Sequence, residues 1–169
     1  ACAKKQIVVA LSLWNDARYR SWGCNPWQRD TTLGYTALHW LCNRPSDDEE
    51  ANSNNNDTTT NTAVGETLLC QLGQCFMAIP GLVKAKSDLS QCQALHLAAQ
   101  WSVPLCTCLV RYGGASVATQ EPIYGRNAIL QAAQHGCLDT LMCLLELETK
   151  DTVHQATDKN GWGVLHWAA

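Results

Sequence analysis

One nine-residue pattern occurs four times along this chain, and it constrains the fold more than any other feature of the sequence. The copies are GYTALHWLC at residues 34–42, QCQALHLAA at 91–99, GRNAILQAA at 125–133 and GWGVLHWAA at 161–169. They start 57, 34 and 36 residues apart. A unit repeated at such intervals is too small to bury its apolar face alone, so we expect neighbouring units to stack into one continuous core.

The longer first interval contains a polar, low-complexity stretch. Residues 47–50 are all acidic, and residues 51–62 consist of Ala, Asn, Ser, Asp and Thr alone. Such a stretch cannot bury enough apolar surface to offset its ordering entropy. The sequence therefore predicts a disordered insertion over residues 46–63, between two helices of the first unit, with a helical pattern that resumes at Glu66.

The residues of each copy suit a tight turn that leads into a helix. Glycine tolerates a positive φ, which is useful at such a turn, and three copies begin with it, at Gly34, Gly125 and Gly161. Thr36 is placed to cap the first helix through its hydroxyl. The aliphatic position of the pattern is predicted to face the core, at Leu38, Leu95, Ile129 and Leu165.

The pattern resembles the T-P-L-H-x-A-A signature of ankyrin repeats over residues 30–169. The resemblance implies an all-α ankyrin-repeat solenoid of stacked helix-turn-helix units with β-hairpin fingers. The implied repeats cover about 30–88, 89–121 and 122–157, then a truncated repeat at 158–169, with a degenerate repeat or cap at 1–29. It also implies that the motif histidines hydrogen-bond to neighbouring turns, and these are His39, His96 and His166.

A narrower resemblance concerns the middle of the chain. Residues 89–98, 125–138 and 156–161 are similar to the middle repeats of inhibitor-of-κB-like ankyrin domains, a group that includes viral mimics and the ankyrin regions of Rel precursors. This likeness implies a protein that binds and masks a Rel/NF-κB dimer in the cytoplasm, and also in the nucleus. It implies a monomer without a cofactor.

The positions that the repeat leaves variable are the candidates for contact with a partner protein. By the resemblance, the residue after the motif histidine faces the concave groove, which here gives Trp40, Leu97, Gln131 and Trp167. The finger tips offer Tyr35, Cys92, Arg126 and Trp162. Trp, Tyr and Arg are the residue types enriched in binding hot spots. The alternative is that these side chains pack against neighbouring repeats.

Composition argues against several other functions. Lys and Arg number 12 against 15 Asp and Glu, so no basic excess predicts direct contact with nucleic acid. No apolar stretch approaches the roughly 20 residues that span a bilayer. The sequence contains no G-x-S-x-G, H-E-x-x-H or phosphate-binding glycine loop, and we therefore predict no catalytic residue and no enzymatic activity.

The ten cysteines contain no C-x-x-C pair, which argues against a zinc ribbon or a thioredoxin-like motif. Several lie in apolar helical runs, where cysteine acts as a small buried hydrophobe in a reducing compartment. We therefore predict no metal site. Two alternatives to a Rel inhibitor stay open, namely a generic ankyrin adaptor (a ubiquitin-ligase substrate receptor or a host-directed effector) and a thiol-based metal or redox protein.

Overall fold

The computed structural model describes residues 25–43, 81–147 and 156–169, with isolated positions at 71, 74 and 79. Within these ranges the chain is helical. The helices are α1 (Ala37–Cys42), α2 (Ala94–Ala98), α3 (Val103–Arg111), α4 (Ala128–Gln134), α5 (Leu138–Leu147) and α6 (Val164–Ala168), with a 3-10 helix at Leu82–Lys84. The all-α class is confirmed for this part of the chain. The predicted insertion at 46–63, and residues 1–24 of the predicted N-terminal cap, lie outside it.

The helices pack in two rows. In the first row α1 contacts α2, α2 contacts α4 and α4 contacts α6, while α3 contacts α5 in the second row. Two pairs, α2 with α3 and α4 with α5, connect the rows. The four copies of the nine-residue pattern therefore lie side by side, because each of them contains one helix of the first row.

Small residues on the first-row helices allow these helices to approach closely. Ala94, Ala98, Ala128 and Ala132 are all buried. The predicted aliphatic residues of the first three copies, Leu38, Leu95 and Ile129, are at most 1% exposed. Removing a side chain of this size from water stabilises the fold by about 1.5–3 kcal/mol.

The prediction that Leu165 faces the core is wrong. Its side chain is 83% exposed. In the first three copies the aliphatic residue belongs to the buried hydrophobic core. Among the described helices α6 packs chiefly against α4, and none of them covers the face that carries Leu165.

A short loop precedes each first-row helix, and we call these the finger loops. They cover residues 30–35, 87–92, 121–126 and 158–162. Each is closed by a backbone hydrogen bond from its first residue to its last, of 3.0, 2.9, 2.9 and 3.0 Å respectively. In the described ranges the strand-like pairing is limited to one isolated β-bridge between Thr157 and Gly163. The fingers are therefore tight turns rather than the predicted β-hairpins.

The backbone of the finger loops explains their glycines. Gly34, Gly125 and Gly161 have φ values of 67°, 75° and 79°, as predicted for this turn. A Cβ at Gly34 would lie 2.3 Å from Cβ of Asp88, and one at Gly125 would lie 2.9 Å from Cγ of Lys159. Successive finger loops thus approach too closely for any side chain at these positions. No helix of the described residues is long and apolar enough to cross a membrane.

Candidate protein-binding surface

A polar side chain at the start of each finger loop fixes its shape. Oδ1 of Asp30 accepts hydrogen bonds from the amides of Leu33 (2.6 Å) and Thr32 (2.8 Å). Oδ2 accepts the amide of Tyr35 at 3.0 Å. These bonds, first of all that from Leu33, hold the pKa of Asp30 well below its usual range. Because the loop amides donate to this carboxylate, they are not available for strand pairing.

Glu121 has the same role in the third finger loop. Its carboxylate is 1% exposed and accepts the amides of Ile123 (2.7 Å), Tyr124 (3.0 Å) and Arg126 (3.2 Å). Burial acts to raise the pKa of Glu121, but the hydrogen bonds and the Arg126 charge outweigh it, and the net shift is downward. Asp158 accepts two amides of the fourth loop at 2.8 Å each. These carboxylates were not predicted from the sequence, although one stands three or four residues before each finger glycine.

Two of the three motif histidines, His39 and His96, connect successive units, as the resemblance implied. The amide of Thr36, the N-cap residue of α1, donates to Nδ1 of His39 at 3.3 Å, and the Thr36 hydroxyl lies 2.8 Å from the same nitrogen. Since an amide can only donate, Nδ1 carries no proton, and Nε2 donates to the carbonyl of Cys92 at 3.0 Å. His39 is therefore neutral.

His96 repeats this arrangement one unit further along. The amide of Gln93 donates to its Nδ1 at 3.2 Å, and Nε2 lies 3.0 Å from the carbonyl of Thr119. Burial lowers the pKa of both His39 and His96. In the third copy, where Leu130 replaces the histidine, the side chain of Asn127 accepts the Leu130 amide at 3.0 Å. In the fourth copy the amide of Gly163 donates to Nδ1 of the exposed His166 at 3.2 Å.

Aromatic rings form the same cluster at both ends of the first row. Tyr35 stacks on His39 and meets the edge of Trp40, with ring centroids 5.5 Å apart in both pairs. At the other end Trp162 stacks on His166 at 6.3 Å and meets the edge of Trp167 at 5.5 Å.

The two clusters differ in how the indole is anchored. Trp40 donates through Nε1 to Oδ2 of Asp30 at 2.8 Å. The corresponding atoms of the fourth unit, Nε1 of Trp167 and Oδ2 of Asp158, are buried and hydrogen-bond to no described residue.

Arg126 lies between two aromatic rings. Its guanidinium carbon is 4.3 Å from the ring centroid of Tyr124 and 5.6 Å from that of Trp167. Nε lies 3.5 Å from Oε1 of Glu121, and Nη1 donates to the side-chain oxygen of Gln134. The stacking and the polar contacts together hold the planar group in one orientation.

The eight predicted contact residues differ sharply in exposure. Trp40 and Trp162 are 50% and 48% exposed, and Arg126 and Trp167 are half-buried. The other four are buried, namely Tyr35, Cys92, Leu97 and Gln131. These four side chains pack inside the protein, as the alternative prediction stated, because the stacked helices and finger loops cover them. Of these eight residues, the two large exposed aromatic ones thus lie in the first and the fourth unit.

The finger tips also expose apolar residues that the sequence analysis did not select. Leu89, Ile123 and Tyr124 are 67%, 45% and 57% exposed. Backbone bonds join neighbouring tips, from Leu89 to Leu33 (3.3 Å) and from Lys159 to Tyr124 (2.9 Å). The tips and the exposed tryptophans are therefore held in a fixed relation. This favours binding, because little conformational entropy is lost when a partner covers them.

The thiols of the described residues show no arrangement for metal binding. Six cysteines are free, and no group of three His, Cys, Asp or Glu side chains in the described ranges could hold an ion. Burial raises the pKa of the Cys42 and Cys106 thiols. Protonated, buried thiols are poor ligands and poor nucleophiles.

Comparison with models of known protein families gives no match to this chain, and a search of curated protein sequences gives none either.

Proposed function

We propose that this chain is an ankyrin-repeat scaffold of the inhibitor-of-κB type, which binds and masks a Rel/NF-κB dimer. The repeat assignment is supported by the four pattern copies lying side by side, with a positive φ in the finger loop of each. It is supported further by the bonds from His39 to the following finger loop and from His96 to Thr119, just before the next one.

The observation that carries a binding function is the exposure of Trp40 and Trp162. About half of each indole faces solvent, although leaving so large an apolar group wet is unfavourable. Both rings are braced by an aromatic neighbour, Tyr35 or Trp167. A braced, exposed tryptophan loses little conformational entropy when a partner covers it, which is the property of a binding hot spot.

The compartment and the oligomeric state belong to the same proposal. Free cysteines in the described ranges favour a reducing compartment, the cytoplasm or the nucleus. The repeats stack on one another within one chain, so we propose a monomer that meets its partner along the finger loops.

Biolayer interferometry with immobilised Rel homology dimers tests the proposal. Trp40→Ala and Trp162→Ala are each expected to weaken binding by about tenfold or more, as for a hot-spot tryptophan. Tyr112→Ala is the matched control, because Tyr112 is 68% exposed at the end of α3 in the second row. If no Rel dimer binds, the inhibitor-of-κB assignment is wrong and the generic adaptor replaces it.

A further inference from the structure

In the finger loops and the residues next to them, basic side chains are mostly exposed and acidic side chains are mostly buried. In residues 28–35, 84–92, 118–126 and 156–163 the exposed basic residues are Arg29, Lys84, Lys86 and Lys159. The exposed acidic residue in these segments is Asp88, and it pairs with Arg29. Glu121 and Asp158 are buried, with their carboxylates bonded to loop amides, and Asp30 is half-buried.

This segregation reverses the sign that composition suggests. The whole chain has a formal net charge of −3, yet after the Arg29–Asp88 pair is set aside, the exposed charges of the finger segments are Lys84, Lys86 and Lys159. Arg126 does not add to this exposed charge, because its side chain is 13% exposed and its Nε lies 3.5 Å from Oε1 of the buried Glu121.

We propose that the finger loops bind an acidic, extended segment of the protein partner, with apolar side chains that reach Trp40 at one end and Trp162 at the other. The inference rests on the proposed binding function and adds the chemistry of the partner. The carboxylates of the segment meet Lys86 and Lys159, while its apolar residues cover the exposed indoles.

The spacing of the helices sets the length of this segment. Packed helices lie roughly 8–10 Å apart, and three such steps lead from α1 through α2 and α4 to α6. Trp40 and Trp162 are therefore separated by about 24–30 Å. An extended chain rises about 3.3 Å per residue, so about eight residues connect the two anchors.

Fluorescence anisotropy with two labelled peptides tests the proposal on the full chain. One peptide has about eight Asp and Glu residues between two Phe residues, and the other has Lys in place of every acid. We expect the acidic peptide to bind more tightly, with an affinity that falls as salt is added. Equal binding of both peptides, or tighter binding of the Lys peptide, would overturn the proposal.

Variants locate the contact. Lys86→Glu and Lys159→Glu are each expected to weaken binding of the acidic peptide by up to about fivefold, the usual range for an exposed ion pair, and Trp162→Ala by about tenfold. Arg111→Glu is the matched charge reversal, since Arg111 is exposed at the end of α3, and should leave binding unchanged. An equal loss in Arg111→Glu would show non-specific attraction and overturn the proposal.

The outcomes separate the two proposals. Acidic-peptide binding without Rel binding would leave the acidic contact standing and remove the inhibitor-of-κB assignment. If a Rel dimer binds and Trp40→Ala weakens that binding, but the chain does not prefer the acidic peptide, the inhibitor-of-κB assignment stands and the acidic contact is wrong. If light scattering shows that the chain self-associates and that Lys159→Glu prevents it, the surface binds a second copy, and the acidic partner segment is wrong.

Discussion

Nε2 of His39 donates a hydrogen bond to the carbonyl oxygen of Cys92, 3.0 Å away, and so connects two units whose residues are 53 positions apart in sequence. The same ring accepts the amide of Thr36 through Nδ1. One neutral imidazole therefore satisfies a helix N-terminus and the next finger loop together, inside a core where an unpaired polar group is costly.

Replacing His39 by alanine should destabilise the fold by about 3 kcal/mol, because it leaves the Thr36 amide and the Cys92 carbonyl without partners in the interior. Urea denaturation followed by circular dichroism measures the loss. His166→Ala is the control, since His166 is exposed, and it should cost less than about 1 kcal/mol. Equal losses in the two variants would contradict the assigned role of His39.

Stability should decrease as the pH falls below about 6.5, the ordinary pKa of histidine. Burial lowers the pKa of His39 and His96, so in this range the unfolded chain binds protons that the folded chain refuses. The free energy of unfolding must then fall with pH, and the contribution of these residues is complete above pH 6.5 or so. Thermal unfolding between about pH 8 and 5 measures the slope.

The control for this pH dependence is the double variant His39→Gln, His96→Gln, which retains donors and acceptors but does not titrate. Its stability should change less over the same range. The lowered pKa values of Asp30 and Glu121 affect stability at a lower pH than this range. Their contribution to the free energy of unfolding is lost only as the pH falls through their pKa values in the folded state, which lie below the ordinary carboxyl values. An unchanged slope in the double variant would refute the histidine explanation.

Gly34→Ala should destabilise the fold by more than about 2 kcal/mol, since the new Cβ is strained by the positive φ and also overlaps the next finger loop. That Cβ would lie 2.3 Å from Cβ of Asp88. Gly136→Ala is the matched control, because Gly136 has nearly the same φ, 66° against 67°, with no atom within 4 Å of the added Cβ. The difference between the two variants in urea denaturation isolates the contact between finger loops.

Gln91→Gly should stabilise the protein by about 0.5–1 kcal/mol. Gln91 has a φ of 54°, where the other three copies carry glycine, and relief of this strain is worth about 1–2 kcal/mol. The exposed bond from its side chain to the carbonyl of Asp88, 3.0 Å long, is lost in exchange. A higher midpoint in urea denaturation checks the prediction, and a decrease would show that the side-chain bond outweighs the strain.

Much of the local structure could be predicted from the repeated pattern. The first-row helices, the positive φ of Gly34, Gly125 and Gly161, and the hydrogen bonds of His39 and His96 to neighbouring turns all follow from residue types at fixed positions. These features depend on contacts within one unit or with the next one, and the copies share most of these contacts. Leu165 departs from the pattern because none of the described helices covers its side chain.

The candidate surface was less predictable. Pattern position alone treated Trp40 and Leu97 alike, yet one is 50% exposed and the other 6%. Exposure depends on which side chain of the adjacent unit lies over a residue, and that is a relation between residues far apart in the chain. The burial of Glu121 and Asp158, which leaves the finger segments with exposed lysines, depends in the same way on the closed loops.

The sequence by itself determined the repeating unit, because turn and helix preferences act over a few residues and appear in every copy. Only the tertiary structure decided which side chains of that unit face solvent and which charges stay exposed. Among the described residues, stacking covers the position after the motif histidine at Leu97 and Gln131 but leaves Trp40 half exposed, and Trp162 is exposed in the fourth finger loop.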